Sequence, residues 1–540
     1  MTRSFCKYLA FCLAGVLLLG GCGGAATSSS EPRVPVSNPG NTASSTTGSG
    51  TPSSAVNASS AAENSSTVVS SVPSSSTAAP SSSPSADPPA SSPEPADFTF
   101  PKLVADHMVL QRNASVRIWG GYPKDGEITV NFAGKNYKGS CKNGSFEVWV
   151  QTGEAGGPYT LTVSSGTDKR VLQDVLVGDV YICSGQSNML MQVGGLKDKT
   201  LRNTPVPDQI RLFHVWTEPT AAPQEDFKNA YSVWVKTDAS NIGQYDSFSA
   251  VGYIFGRTLY EELQIPIGII QSCEGDTIAA AWMPEKDAKT VNKINQTEDA
   301  LQRHIPSRMY NGMIHPLRKY TVKGVLWYQG ESDLGNTTYQ HSMTTLINAW
   351  RREFGNEKMT FTLIQLPRWA SNNWFDLREQ QKSTALAVPN CTYSVNLDCG
   401  ERADIHPQDK EPVGVRAAQA TLRAFYGRND YKQNPVYQSH KVEGSKVTVT
   451  LARVDRGLFF QTEKTPGGKD WVTVTEGTGF EIMDASGVYY PAKAVLENNK
   501  LVLTSTVTEP KGIRYAYGNF PDVSLFDKNG LPAEQFCILF

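Results

Sequence analysis

Residues 179–189 read DVYICSGQSNM and change from an apolar run to small and polar residues within a few positions. A short apolar run bounded in this way is typical of a strand buried on both faces of a parallel sheet. The ligands of such sheets bind at the carboxyl ends of the strands. The stretch therefore predicts a central strand whose following turn, from Ser184 to Asn188, carries functional side chains.

Residues 179–430 continue this alternation of strand and helix. Further buried strands are predicted at IPIGIIQS (265–272), VKGVLWYQ (322–329), MTFTLIQLP (359–367) and CTYSVNLD (391–398). Apolar residues at helical spacing predict helices over 249–263, 344–354 and 413–427, the last closed by Gly427. Alternation of this kind predicts a parallel sheet covered by helices on both faces.

The two flanking regions, residues 97–178 and 431–540, instead show short β-prone runs separated by turn residues. Asn143-Gly144 is a typical hairpin turn pair. We expect an N-terminal and a C-terminal β domain, both sandwich-like, on either side of the 179–430 domain.

The first 22 residues have the pattern of a secretory signal: early positive charges, an apolar run, and then small residues. Leu19-Gly20-Gly21-Cys22 resembles a bacterial lipobox, which predicts a lipid anchor on Cys22, export, and an outward-facing protein at the cell membrane. An ordinary signal peptide remains the alternative. Residues 23–96, rich in Ser, Thr and Pro, predict a disordered tether with a reach of about 45 Å.

The composition narrows the possible partners and cofactors. A formal net charge of −2 argues against nucleic acid as a partner. Six cysteines follow Cys22, and their spacing determines no pairing. The sequence has neither a CxxC nor an HExxH motif, so no metal site is predicted.

Polar residues follow four of the predicted strands, and all four groups are expected at one edge of the sheet. They are Ser184 to Asn188, Glu274 to Thr277, Gln329 to Asp333, and the group Asp398, Asp404 and His406. A serine hydrolase needs a hydroxyl, a His base, an orienting carboxylate and oxyanion donors, and these segments contain each of them. The GQSNM turn lacks the second Gly of the G-x-S-x-G elbow, which argues against an ordinary α/β-hydrolase.

Several motifs in this order resemble the sialate O-acetylesterase family, carbohydrate esterases of the SGNH hydrolase superfamily. The motifs are GQSNM (185–189), the Gly of CEGDT (273–277), GVLWYQGESD (324–333) and DIHP (404–407), with further similarity in both flanking regions. The resemblance implies a flavodoxin-like three-layer α/β core with a parallel sheet. It also implies hydrolysis of O-acetyl esters on carbohydrates, without a metal or organic cofactor.

Residue by residue, the resemblance implies that Ser187 is the nucleophile and His406 the general base, with Asp404 as their carboxylate. It implies an oxyanion hole formed by the backbone N–H groups of Ser187 and Gly275 and the side chain of Gln329. Because the pattern is D-x-H, either Asp398 or a backbone carbonyl could orient His406 instead.

Three neighbouring residues complete this prediction. We expect Glu331 to be a buried support for the Ser187 or Gln329 loop, with Asn188 beside the nucleophile also in a supporting role. Asp276 must point away from the oxyanion hole, because a carboxylate there would oppose the developing negative charge.

The substrate is left open between sialic acid and acetylated xylan. A sialate carboxylate would favour a nearby arginine, and the candidates are Arg202, Arg318, Arg402 and Arg416. Candidates for stacking on sugar rings are Trp282, Trp327, Tyr328 and Trp369. Two further alternatives are a glycoside hydrolase using Glu331 and Asp404, and a lipid-anchored carbohydrate-binding protein without activity.

Overall fold

The computed structural model describes residues 97–237, 240–291, 302–370, 374–465 and 470–540. The predicted signal peptide, lipid anchor and tether lie outside these ranges. Across the described residues, no helix combines the length and the apolar character needed to cross a membrane.

The N-terminal region is a sheet of strands β1 (Val109–Gln111), β2 (Ser115–Gly121), β3 (Gly126–Phe132), β4 (Lys135–Lys142), β5 (Ser145–Gln151), β6 (Gly156–Ser165) and β7 (Asp168–Gly185). It is antiparallel in the order β7-β6-β3-β4-β5-β2, with β1 parallel to β7. The predicted turn joins β4 to β5, with φ of 53° at Asn143 and 77° at Gly144. β7 runs unbroken through the predicted domain boundary at residue 178, so the N-terminal and central sheets share this strand.

The central sheet adds to β7 the strands β8 (Ile210–His214), β9 (Trp234–Lys236), β10 (Ile267–Cys273), β11 (Gly324–Tyr328), β12 (Thr360–Ile364) and β13 (Cys391–Ser394). Its order is β13-β12-β11-β7-β10-β8, and every neighbouring pair in this order is parallel. β9 pairs antiparallel with β8 at the edge. Four predicted strands are confirmed as β10 to β13, whereas β8 and β9 were not predicted. Because β10 and β11 flank β7, the direction in which strands are added reverses there, which is where ligand crevices form.

Helices cover both faces of this sheet. They are α1 (Ser187–Leu190), α2 (Ala250–Leu263), α3 (Glu285–Ala288), α4 (Tyr339–Glu353), α5 (Phe375–Ala387) and α6 (Glu411–Tyr426). Adjacent residues of β12 point to opposite faces: Phe361 meets Trp350 of α4, whereas Thr362 is hydrogen-bonded to Thr421 of α6. α4 and α6 therefore lie on opposite faces, as predicted for the 179–430 region. Helix α5 was not predicted.

The C-terminal region forms three antiparallel sheets. Their strands are β14 (Val436–Glu443), β15 (Lys446–Ala452), β16 (Leu458–Glu463), β17 (Trp471–Val474), β18 (Phe480–Met483), β19 (Tyr489–Pro491), β20 (Lys493–Glu497), β21 (Lys500–Thr504), β22 (Gly512–Tyr515), β23 (Leu525–Asp527) and β24 (Phe536–Leu539). They share a hydrophobic core that is separate from that of the rest of the chain. Val395 and Leu397, which follow β13, are buried in this C-terminal core. The segment leading from β13 toward His406 is thus anchored in the C-terminal region.

Candidate active site

The turn after β7 is fixed by the two neighbouring strands. The backbone N–H of Gln186 donates to Tyr328 O at 3.0 Å, and the N–H of Glu274 donates to Gly185 O at 3.2 Å. Gly185 has a φ of 133°, and a Cβ there would lie 2.1 Å from Tyr328 O. Only glycine fits this close approach, so β11 determines how the chain turns and where Ser187 begins α1.

Ser187 and His406 form the central contact of the site. Ser187 Oγ lies 2.8 Å from His406 Nε2, and both side chains are half-buried. Burial lowers the pKa of His406, the positive charge of Lys410 lowers it further, and Asp404 opposes both effects. The imidazole is therefore neutral at neutral pH, the form that can accept the proton of the hydroxyl.

The carboxylate partner differs from a tight Asp–His pair. Asp404 Oδ1 accepts the backbone N–H of His406 at 2.8 Å but lies 4.0 Å from the ring nitrogen Nδ1. Both oxygens of Asp398 instead bind Arg416, at 2.6 and 2.8 Å. Among the described residues, no backbone carbonyl accepts a hydrogen bond from Nδ1. Asp404 therefore contacts the backbone of the loop that carries His406 more closely than it contacts the imidazole ring.

Gly275, a predicted oxyanion donor, lies beside Ser187. A Cβ on Gly275 would lie 3.5 Å from Ser187 Cβ, so the backbone of Gly275 closely approaches the predicted nucleophile. Within the described part of the chain, the backbone N–H groups of Ser187 and Gly275 have no hydrogen-bond acceptor. Both donors are therefore available for a developing oxyanion.

Gln329, which the resemblance implies as the third oxyanion donor, has its side chain engaged in internal hydrogen bonds. Its amide donates to Thr277 O at 2.9 Å and to Asp333 Oδ2 at 2.7 Å, which uses both of its hydrogens. Its Oε1 accepts from the Tyr339 hydroxyl, and the side chain is fully buried. In this arrangement Gln329 supports the loop after β11, since an oxyanion would have to compete with two internal acceptors.

The Asp276 carboxylate, next to the predicted oxyanion donor Gly275, contacts three side chains. Asp276 Oδ1 accepts from Ser332 Oγ at 3.0 Å and lies 3.3 Å from His304 Nε2, while Oδ2 is 3.9 Å from Arg303. Arg303 partly balances its negative charge. The sequence did not predict these partners of the carboxylate.

Asn188 links three separate segments in the buried layer beneath Ser187. Its Nδ2 donates to Glu331 Oε1 at 2.7 Å and to Ile405 O at 3.1 Å, and its Oδ1 accepts from Lys410 Nζ at 2.6 Å. Burial raises the pKa of Glu331 to about 6 and lowers the pKa of Lys410 to about 8. Asn188 and Glu331, both predicted to be supporting residues, are thus hydrogen-bonded to each other in this buried layer. Lys410 was not predicted, and the only sequence signal for it is its position four residues after His406.

Three of the four aromatic candidates for sugar stacking belong to the core: Trp282, Trp327 and Tyr328 are fully buried. Trp369 is half-buried, stacks on Trp374 at 5.2 Å between ring centroids, and follows β12. It is therefore the one candidate of the four that retains exposed surface.

The four arginine candidates differ in whether they already pair with a carboxylate of the protein. Arg202 pairs with Asp246, Arg318 with Glu225, and Arg416 with Asp398. Arg402 is exposed on the His406 loop, its guanidinium 5.3 Å from the ring centroid of Phe520. Within the described ranges Arg402 forms no ion pair, so it can meet an anionic group of a ligand.

The arrangement has the parts needed for acyl transfer: a hydroxyl in contact with a neutral imidazole, and two backbone donors beside it. It does not favour the glycosidase alternative. Glu331 is buried and its Oε1 is bound to Asn188, whereas a glycosidase presents two carboxylates to the sugar.

Comparisons with known proteins point to the same chemistry. The family described as "Carbohydrate esterase, sialic acid-specific acetylesterase" matches residues 177–423. The chain is similar to the sialate O-acetylesterases of Pongo abelii and Homo sapiens, each 32% identical over 62% of this chain and 72% of the relative. It is also similar to the crystal structure of a carbohydrate acetylesterase from Xanthomonas citri. That structure is 31% identical with a TM-score of 0.71, and the match covers 82% of this chain and 99% of the other.

Proposed function

This chain belongs to the sialate O-acetylesterase family, and on that premise we propose that it is a serine esterase that removes O-acetyl groups from sialic acid. The family makes it a carboxylic ester hydrolase, and a carbohydrate acetylesterase function is supported by both kinds of relative. The serine mechanism and the sialate substrate are the parts we add. The observation that carries the mechanism is the 2.8 Å contact between Ser187 Oγ and His406 Nε2.

In the proposed reaction, Ser187 Oγ attacks the acetyl carbonyl carbon while His406 Nε2 takes the hydroxyl proton. The backbone N–H groups of Ser187 and Gly275 stabilise the tetrahedral oxyanion. His406 then gives the proton to the departing sugar oxygen, which leaves an acetyl group on Ser187. A water molecule, deprotonated by His406, releases acetate by the same steps in reverse order.

The proposal of a sialate rests on charge near the site. Sialic acid carries a carboxylate, and Arg402 lies exposed on the loop of the general base. The backbone N–H of Trp369, on the loop after β12, donates to the backbone carbonyl of Asn519 at 3.1 Å. Asn519 precedes Phe520, the residue that Arg402 contacts. Arg402 and Trp369 together offer a cation and an aromatic ring, a combination suited to an acidic sugar, whereas acetylated xylan would need only stacking and hydrogen bonds.

We also propose the finer fold and the location. Helices on both faces of a parallel sheet, with the nucleophile at the end of the central strand, fit an SGNH hydrolase core. The lipobox-like stretch ending at Cys22 and the following tether would hold this esterase outside the cell, anchored to the membrane. Metabolic labelling with a fatty acid, compared between wild type and Cys22→Ala, tests the anchor.

The mechanism is tested by Ser187→Ala, with Ser184→Ala as the matched control. Ser184 is buried on β7, and its Oγ has no hydrogen-bond partner in the described structure. Ser187→Ala should lower acetate release by at least about 1,000-fold and abolish fluorophosphonate labelling, while Ser184→Ala retains both. Acetate release by Ser187→Ala at the wild-type rate would refute the serine mechanism.

The substrate is tested on the wild-type enzyme by comparing kcat/KM for O-acetyl sialic acid with that for acetylated xylan. Preference for the first supports the sialate proposal, and preference for xylan overturns it. Labelling of Ser187 without acetate release from either would reject both substrates while leaving the serine chemistry intact.

A further inference from the structure

Lys410 occupies a position that is electrostatically costly. Its side chain is almost completely buried, and the residue is the N-cap of α6, where its side chain caps nothing. The N-terminus of a helix carries a partial positive charge, and burial penalises an ammonium group. A lysine at this site must therefore be compensated by specific contacts.

The contacts of Lys410 converge on the residue after the nucleophile. Lys410 Nζ donates to Asn188 Oδ1 at 2.6 Å and lies 5.7 Å from the ring centroid of Tyr328. No carboxylate within the described residues lies within ion-pair distance of it. The amide of Asn188 therefore connects the ammonium group of Lys410 to the carboxylate of Glu331.

The chemistry of these groups determines the orientation of the Asn188 amide. Lysine can only donate, and the Ile405 carbonyl can only accept, so Oδ1 must face Lys410 and Nδ2 must face Ile405. Ile405 directly precedes His406. The bond from Lys410 thus keeps Asn188 in the one orientation that also holds the His406 loop against the Ser187 turn.

Resting on the proposed function, we infer that Lys410 is a positioning residue that aligns His406 with Ser187 through Asn188 and that its positive charge opposes protonation of the imidazole. Asp404 acts on His406 in the opposite sense, since its negative charge favours the imidazolium. The groups whose charges act on Lys410 itself are Glu331, Cys399, Glu401 and Asp404. Burial of the imidazole, the charge of Lys410 and the charge of Asp404 together then determine the pH at which the base loses activity.

Lys410→Met tests both parts of this inference, because methionine fills similar space without a charge or a donor. We expect kcat/KM to fall at least about 10-fold at pH 7, because His406 is less well aligned. The acid limb of the pH profile should also move to higher pH by about one unit, because the imidazole then protonates more easily. A merely structural loss would lower the rate without moving this limb.

Two further variants make the result decisive. Lys410→Arg keeps the charge and should leave the acid limb in place even if its rate is lower. Lys382→Met removes a half-buried lysine of α5 that pairs with Glu534, and it should lower the melting temperature without shifting the limb. An unshifted limb in a folded Lys410→Met overturns the inference.

The wild-type enzyme provides a measurement that does not depend on the folding of a variant. The acid limb of fluorophosphonate labelling should lie below about pH 6.5, the ordinary pKa of histidine. An acid limb above pH 6.5 would overturn the inference, whereas the labelling itself would still support Ser187 as the nucleophile. Absence of labelling at every pH would instead contradict the proposed function.

Discussion

Asp404 Oδ1 lies 2.8 Å from the backbone nitrogen of His406 and 4.0 Å from the ring nitrogen Nδ1 of the same residue. The carboxylate therefore orders the loop directly and acts on the imidazole mainly through its charge. A tightly bonded aspartate in a catalytic triad contributes about 10,000-fold to the rate, and a looser one should contribute much less.

Asp404→Asn tests this difference, because an asparagine oxygen can still accept the His406 backbone N–H. We expect kcat to fall by about 10-fold or less. The acid limb should move to lower pH, since Asp404 raises the pKa of His406 and its removal lowers it. A pH profile of kcat/KM checks the sign, and a loss near 10,000-fold would show that the two side chains close up during the reaction.

Gly275→Ala should selectively damage catalysis. The added methyl would lie 3.5 Å from Ser187 Cβ, an ordinary contact that costs little stability but occupies space beside the oxyanion. We expect kcat/KM to fall about 10- to 100-fold, with little change in melting temperature. Gly153→Ala is the control, because a Cβ there meets nothing within 4 Å. Full activity of Gly275→Ala would argue against an oxyanion hole at this position.

Arg402→Gln should separate acidic from neutral substrates. Loss of one exposed charge contact to a carboxylate is expected to raise KM for O-acetyl sialic acid about 10-fold, with KM for acetylated xylan unchanged. Arg117→Gln, on β2 of the N-terminal sheet, should leave both values unaltered. Equal increases in KM for the two substrates would mean that Arg402 stabilises the loop that carries it and does not contact the sugar.

Glu331→Gln should change how stability depends on pH. The pKa of Glu331 is raised from 4.5 to about 6 in the folded protein. The stability that its bound proton contributes is therefore present below about pH 4.5 and is lost as the pH rises through 6.

Relative to the variant, the wild type should lose about 2 kcal/mol of unfolding free energy between pH 4.5 and 7. Denaturant unfolding at several pH values measures this difference. The surface variant Glu127→Gln, which removes the partner of Lys138, should show no such trend. If the difference in unfolding free energy between the wild type and Glu331→Gln does not change with pH, burial does not raise the pKa of Glu331.

The local pattern of the sequence was sufficient for much of the fold. The apolar runs after residue 264 predicted β10 to β13, and the helical spacing of 249–263 predicted α2, because each buries a continuous face. The short strands β8 and β9 gave no comparable signal. The composition changes at residue 178, where we predicted a domain boundary, while β7 continues through that position.

The sequence by itself determined the kinds of chemical group that this protein brings to one sheet edge: a hydroxyl, an imidazole, and a glycine at the ends of separate strands. Only the tertiary structure decided what each group does. Ser187 and His406 are 219 residues apart and meet because of the strand order. Both amide hydrogens of Gln329 bind internal acceptors, so they are not available to a substrate. Lys410 contacts Asn188 and through it the segment that carries His406. A hydrogen bond depends on which partner lies within about 3 Å, and the spacing of residues along a chain does not specify that distance.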